Sequence, residues 1–110
     1  MADFTVSEWM KQNELTDNDI NFIETILTFT STLGSPIVKT EDVNNKINTL
    51  FPEKKVKITD NFTYKKFEEI LHDNKISISL SELLNRYHSQ GICKDHCEKL
   101  LKENNDIKHS

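Results

Sequence analysis

Apolar residues along this chain recur mostly at three- and four-residue spacing, the period of a helix with one buried face. Thr5-x-x-Glu8 is a capping box, in which hydroxyl and carboxylate each satisfy a free backbone N–H. It predicts a short helix over about 6–14 with Phe4, Val6, Trp9 and Met10 as its apolar residues. Thr16 opens a second helix, with Asp17 and Asp19 where the helix dipole favours negative charge. That helix is expected to run to about Leu33 and to stop at Gly34-Ser35-Pro36. Ile20, Phe22, Ile23, Ile26, Leu27, Phe29 and Leu33 leave it only a narrow polar stripe. A helix apolar on most sides is packed by several neighbours. It is the expected core helix, with Ile23, Ile26 and Leu27 almost inaccessible to solvent. Its many β-branched residues favour a frayed or kinked end.

Downstream the pattern alternates between periods. Thr40 is the expected cap of a third helix, about 41–51, with Val43, Ile47, Leu50 and Phe51 on one face and Pro52 ending it. Lys55 to Thr59 alternates polar and apolar, as a half-buried strand does. A fourth helix is expected from Asp60 or Asn61 to about Asp73, with Tyr64, Phe67, Ile70 and Leu71 inward. Ile76-Ser77-Ile78 alternates again and could pair with Val56–Ile58 or Ile37–Val38. Ser79-x-x-Glu82 is a second capping box, opening a helix with Leu80, Leu83, Leu84 and Tyr87, ended by Gly91. A last helix, about 93–104, carries Cys93, Cys97, Leu100 and Leu101, and residues 105–110 form an expected frayed tail. The predicted fold is therefore mainly α: one domain over 1–104, a compact bundle of five to six short helices. It leaves room for a two- or three-stranded β ribbon, in an arrangement like a winged helix.

Size fits this picture. The 110 residues make one domain that needs neither a disulfide nor a structural metal. Charged residues make up 29% and apolar residues 35%, polar but outside the disordered range. Lysine, asparagine, isoleucine and threonine are abundant, against one arginine, Arg86, and two glycines. AT-rich codons favour that usage, and a low-GC bacterium, its phage, a large DNA virus or an AT-rich protist would share it. Net charge is −4, distributed as −6 over residues 1–45 and +2 over 46–110. Such asymmetry can orient a charged partner. The N-terminal residues lack a basic leader and long apolar run, and no stretch approaches the roughly eighteen apolar residues of a spanning helix. The expectation is an intracellular protein, with no membrane partner.

Two regions carry candidate binding chemistry. Leu80–Tyr87, the turn 88–92 and the helix 93–102 have the cadence of a helix-turn-helix, in which the second helix reads the major groove. The reading residues would be Lys94, Asp95, Glu98 and Lys99. Against it, Tyr87 stands where a small residue would allow close crossing, and two acids offset the two lysines. An ordinary helical hairpin accounts for the same pattern. The second region is Lys46 to Lys66, with Lys46, Lys54, Lys55, Lys57, Lys65 and Lys66 interleaved with Phe51, Phe62 and Tyr64. Lysines neutralise phosphates and aromatics stack on unpaired bases. The aromatics, however, sit at helix-core spacing. Lys54, Lys55, Lys57, Lys94 and Lys99 are the residues that a nucleic-acid-binding protein would use here.

Catalytic and metal chemistry are less well served. Cys93 and Cys97 are one helical turn apart, with His88 and His96 nearby, but His96 points about 100° away from Cys97 on a helix. Small buried thiols extending the Leu100 stripe explain the spacing without zinc. Counting back from Glu82 as the last position of a calcium loop puts Leu71 first and Ile76 where the sharp turn needs glycine. There is no phosphate-cradling glycine loop, nucleophile elbow or zinc-protease motif. The expectation is a non-catalytic regulatory or interaction protein without metal or cofactor, binding another macromolecule, foremost a protein. The alternative is a helix-turn-helix DNA-binding regulator.

Overall fold

The computed structural model describes residues 5–33, 37–59 and 62–109, with side chains described through residue 104. The described helices are α1 (Val6–Gln12), α2 (Asp17–Thr30), α3 (Thr40–Leu50), α4 (Tyr64–Asp73), α5 (Leu80–Ser89) and α6 (Lys94–His109). The mainly helical expectation holds. The Gly34-Ser35-Pro36 stop and the Asp60 or Asn61 start fall outside the described residues.

The helices begin as side-chain capping predicts, with three adjustments. Thr5 and Glu8 form the expected capping box, and Thr16 with Asp19 forms another. Ser79 accepts the Glu82 N–H, but the Glu82 carboxylate pairs instead with Arg86 one turn on, at 3.1 Å. α4 is capped by Thr63, whose hydroxyl accepts from Lys66 N. Thr40 is not a cap: it lies inside α3, and the N-cap is Lys39, which makes no side-chain bond to the helix. α2 stops at Thr30 rather than near Leu33. There Ser31 and Thr32 donate their hydroxyls to the carbonyls of Thr28 and Phe29, both at 2.6 Å, competing with further helical bonds. α6 continues to His109.

Three helices end in one and the same way. After α1, Glu14 N–H bonds the Lys11 carbonyl and Leu15 N–H the Met10 carbonyl. After α4, Lys75 reaches His72 and Ile76 reaches Leu71; after α5, Gly91 reaches His88 and Ile92 reaches Tyr87. This is the Schellman arrangement, which requires a left-handed residue just past the helix. Glu14, Lys75 and Gly91 fill it, with φ of +68°, +59° and +73°.

No β ribbon forms among the described residues, and the two expected strands fail for identifiable reasons. Ile76 is committed to the end of α4, so 76–78 connects two helices instead of pairing. Residues 55–58 do run as a strand would: Lys55 exposed, Val56 half-buried, Lys57 exposed, Ile58 buried. Their neighbours are asparagine amides rather than another strand. Asn74 accepts from Lys55 N–H and donates to the Lys55 carbonyl, both at 2.7 Å. Asn44 does the same for Ile58 N–H and carbonyl. Each amide offers a single residue the donor and acceptor that a neighbouring strand would supply.

One apolar cluster joins all six helices. Ile23, Ile26 and Leu27 are 0%, 0% and 1% exposed, as expected of the core helix. α5 and α6 form the most extensive helix pair. Leu83, Leu84 and Tyr87 of α5 and Cys97 and Leu100 of α6 are buried in the common cluster.

Candidate functional site

The lysines singled out from sequence divide into three environments. Lys54 is structural. Its ammonium pairs with Asp19 at the start of α2 and lies 5.6 Å from the centre of the Phe22 ring. Burial works to raise the Asp19 carboxyl, but the hydrogen bonds from Lys54 and Thr16 outweigh it and hold the group below its usual range. This pair ties the chain after α3 to the core helix. Lys46 sits over the Phe29 ring at 5.8 Å, and Lys66 donates to the Thr59 hydroxyl.

Lys55 and Lys57 are exposed, on the same side of the 55–58 segment. They line a groove of about 390 Å³ between that segment and α4. Val56 and Ile70 give it apolar surface, and Glu69 and Asp73, one turn apart on α4, make an acidic opposite wall. Along an extended segment, main-chain groups of alternate residues face alternate edges. Lys55 faces Asn74 at the end of α4, so Lys57 presents its N–H and carbonyl to the same edge. Among the described residues neither Val56 nor Lys57 makes a main-chain hydrogen bond. The segment is thus clasped at both ends and open between them.

Lys94 lines a separate groove of about 560 Å³ along the α5–α6 hairpin, with Asn85, His88, Glu98, Leu101 and Lys102. His88 and Glu98 meet across it at 3.6 Å. Lys99 is exposed farther around α6. Arg86 is engaged elsewhere, stacked 4.6 Å from the centre of the Trp9 ring. Tyr87, expected to obstruct a close crossing, is 1% exposed in the hairpin, and its hydroxyl has no hydrogen-bond partner there. Burial, with Glu24 and the two cysteines nearby, pushes that phenol far above its ordinary range.

The four candidate metal ligands have separate partners. Cys97 is fully buried against the core, and burial together with Cys93 pushes its thiol up to about 12. Cys93 approaches the Ser31 hydroxyl at 3.9 Å. His96 bonds Thr30 at 2.9 Å, and its ring lies 6.2 Å from that of Phe62. The Thr30 hydroxyl is 2.7 Å from the Ile26 carbonyl and donates its single proton there. His96 Nε2 must therefore carry the hydrogen of the shared bond. Burial, helped by Lys99, lowers this imidazole to about 4. Among the described residues no three His, Cys, Asp or Glu side chains gather as a metal ion would need. No described helix is long and apolar enough to cross a membrane.

Comparison with family models, with curated proteins and with solved structures returned no match to this chain. Of the two grooves, the one beside 55–58 combines exposed lysines, an apolar floor and an acidic wall. Sequence reading found Lys55 and Lys57 but missed Asn44, Asn74, Glu69, Ile70 and Asp73. The period-two alternation and the run of lysines marked the segment. No local pattern reports that an asparagine on a distant helix reaches it.

Proposed function

We propose that this chain is a non-catalytic regulatory or interaction protein whose partner is another protein. The observation that carries the reading is the open main chain of Val56 and Lys57, held beside a groove by the clasps of Asn44 and Asn74. Unpaired strand-like backbone is a template for another chain, and proteins that leave it exposed use it for recognition. The charges around it also favour a protein over nucleic acid. Of the six lysines between 46 and 66, Lys46, Lys54 and Lys66 already have partners. Glu69 and Asp73 on the facing wall would repel a run of phosphates.

Pull-down from the native source with tagged protein, with and without nuclease, tests this. A partner that survives nuclease supports the reading, and recovery that depends on nucleic acid overturns it. The alternative, a DNA-binding regulator, draws on the helical hairpin with Lys94 and Lys99 exposed on α6. It requires duplex binding that weakens steeply with salt. It also requires that Lys94→Glu and Lys99→Glu abolish that binding. Asp95 and Glu98 on the same exposed surface weigh against it.

A further inference from the structure

We propose that the groove between residues 55–59 and α4 takes an extended peptide of acidic–apolar–acidic pattern, paired through the main chain of Lys57. This deepens the protein-partner reading and rests on it. Asn74 supplies Lys55 with a donor and an acceptor, so it stands where a neighbouring strand would begin. Lys57 is the next residue on that edge, and its N–H and carbonyl are unpaired among the described residues. An incoming strand can therefore continue what the asparagine amide starts. Main-chain pairing of this kind gives affinity without selecting sequence, and alternate side chains then give specificity.

Lysines, an apolar floor and an acidic wall supply the selecting side chains. Lys55 and Lys57 are two residues apart and both exposed. Carboxylates two apart on the incoming strand would stand beside them, and opposite charges at adjacent cross-strand positions attract. The intervening side chain would face inward to Val56 and Ile70, the apolar part of the groove. The opposite wall sets the limit on charge. Glu69 and Asp73 reject an unbroken polyanion, whereas a peptide that alternates can keep neutral groups on that side. Electrostatic complementarity of this sort confers specificity more than raw affinity.

A fluorescent peptide of alternating aspartate and valine is the probe. Binding is read by anisotropy, and pairing by amide hydrogen exchange at Lys57. The expected result is saturable binding that slows exchange of the Lys57 amide. It should weaken at least about tenfold in Lys55→Glu/Lys57→Glu and persist in Lys94→Glu/Lys99→Glu. Because Lys55 and Lys57 are exposed, the charge-reversed variant should fold, which its melting curve checks. Equal binding of a lysine–valine peptide, or of single-stranded DNA, would overturn the proposal. So would binding that leaves the Lys57 amide unprotected, or no binding at all. The pull-down with Lys55→Glu/Lys57→Glu distinguishes the two levels. A nuclease-resistant partner retained by this variant removes the groove but keeps the protein-binding reading. Absence of any such partner for the unaltered chain removes the reading itself.

Discussion

The α5–α6 hairpin and the region from α3 to α4 are held by different forces. In the hairpin, Leu83, Leu84, Tyr87, Cys97 and Leu100 are at most 1% exposed and belong to the common apolar cluster. Burial of apolar area stabilises it, and that effect is non-directional. Between α3 and α4, the chain at 55–58 is positioned by two asparagine amides, an ion pair and a hydroxyl. Those contacts are directional, and most are partly exposed to water. Each therefore contributes a modest net amount. The consequence is a rigid apolar seam on one side and, on the other, a segment fixed in shape but open at its backbone. A recognition surface benefits from the second kind of construction, because nothing apolar must be uncovered before a partner can bind.

The largest expected effect breaks the apolar side. Leu100→Ala should cost about 2–5 kcal/mol, as buried leucine truncations do. Leu27→Ala in α2 should fall in the same range, because the two leucines belong to one cluster. Denaturant unfolding measures both. A loss below about 1 kcal/mol with cooperative unfolding intact would mean that the centre of the domain lies elsewhere.

Asn74→Ala comes next and sharpens the comparison. It removes both bonds to Lys55 and the 2.8 Å bond to the Ile70 carbonyl. The expected loss is about 1–2 kcal/mol, the range for bonds that water can partly replace. The more informative readout is local. Amides over 54–59 should exchange faster while those of α5 and α6 stay protected, since local opening need not unfold the core. Equal loosening of the hairpin would show that the two regions form one cooperative unit.

Legibility from sequence follows the same division. The apolar stripes of α2, α4 and α5 have the helical period, so their cores could be read directly from Ile23, Phe67 or Leu84. Capping is local as well, and Thr5, Thr16 and Ser79 were found at the correct positions. What escaped depends on contacts distant in sequence. The Lys55–Thr59 alternation identifies a strand-like segment but not its neighbours, and Asn44 and Asn74 took the place of the expected ribbon. Ile76 looks like a strand residue because an apolar side chain after a helix carries no label. The left-handed Lys75 and the bond from Ile76 N–H to the Leu71 carbonyl reveal it as a helix ending. For the site, Lys55 and Lys57 were legible. The commitment of Lys54 to Asp19 was not, because the partners are separated by all of α3.

A pH change tests a polar contact that belongs to the apolar side. His96 is neutral in the fold, with its imidazole lowered to about 4 by burial and by Lys99. In the unfolded chain it titrates near 6.5. Between these values the unfolded chain binds the extra proton, so acid favours unfolding. The stabilisation is complete above about 6.5 and is lost as pH falls toward 4. The ring is partly exposed, and solvent screening reduces the effect to about 1–2 kcal/mol. Melting temperatures at neutral and mildly acidic pH, compared with His96→Gln, isolate it from other titrating groups. The substitution should reduce the acid-induced drop. An identical drop in both proteins would place the acid sensitivity elsewhere.

The smallest expected effects concern the three matching helix ends, which close α1, α4 and α5. An L-residue at positive φ is strained, and glycine relieves the strain while losing more freedom on folding. Glu14→Gly and Lys75→Gly should therefore stabilise the protein by only about 0.5–1 kcal/mol. Gly91→Ala should destabilise by about the same amount. A Cβ built at Gly91 meets nothing within 4 Å, so the loss there reports backbone strain alone. Lys75 provides the sharper test, because it follows Asn74 directly. If Lys75→Gly gains as much as Glu14→Gly, the ending of α4 is independent of the Asn74 clasp. A loss at Lys75, with a gain at Glu14, would show that the clasp depends on the restricted backbone beside it. Thermal unfolding of the three variants resolves these outcomes, and hydrogen exchange over 54–59 locates any weakening in the groove.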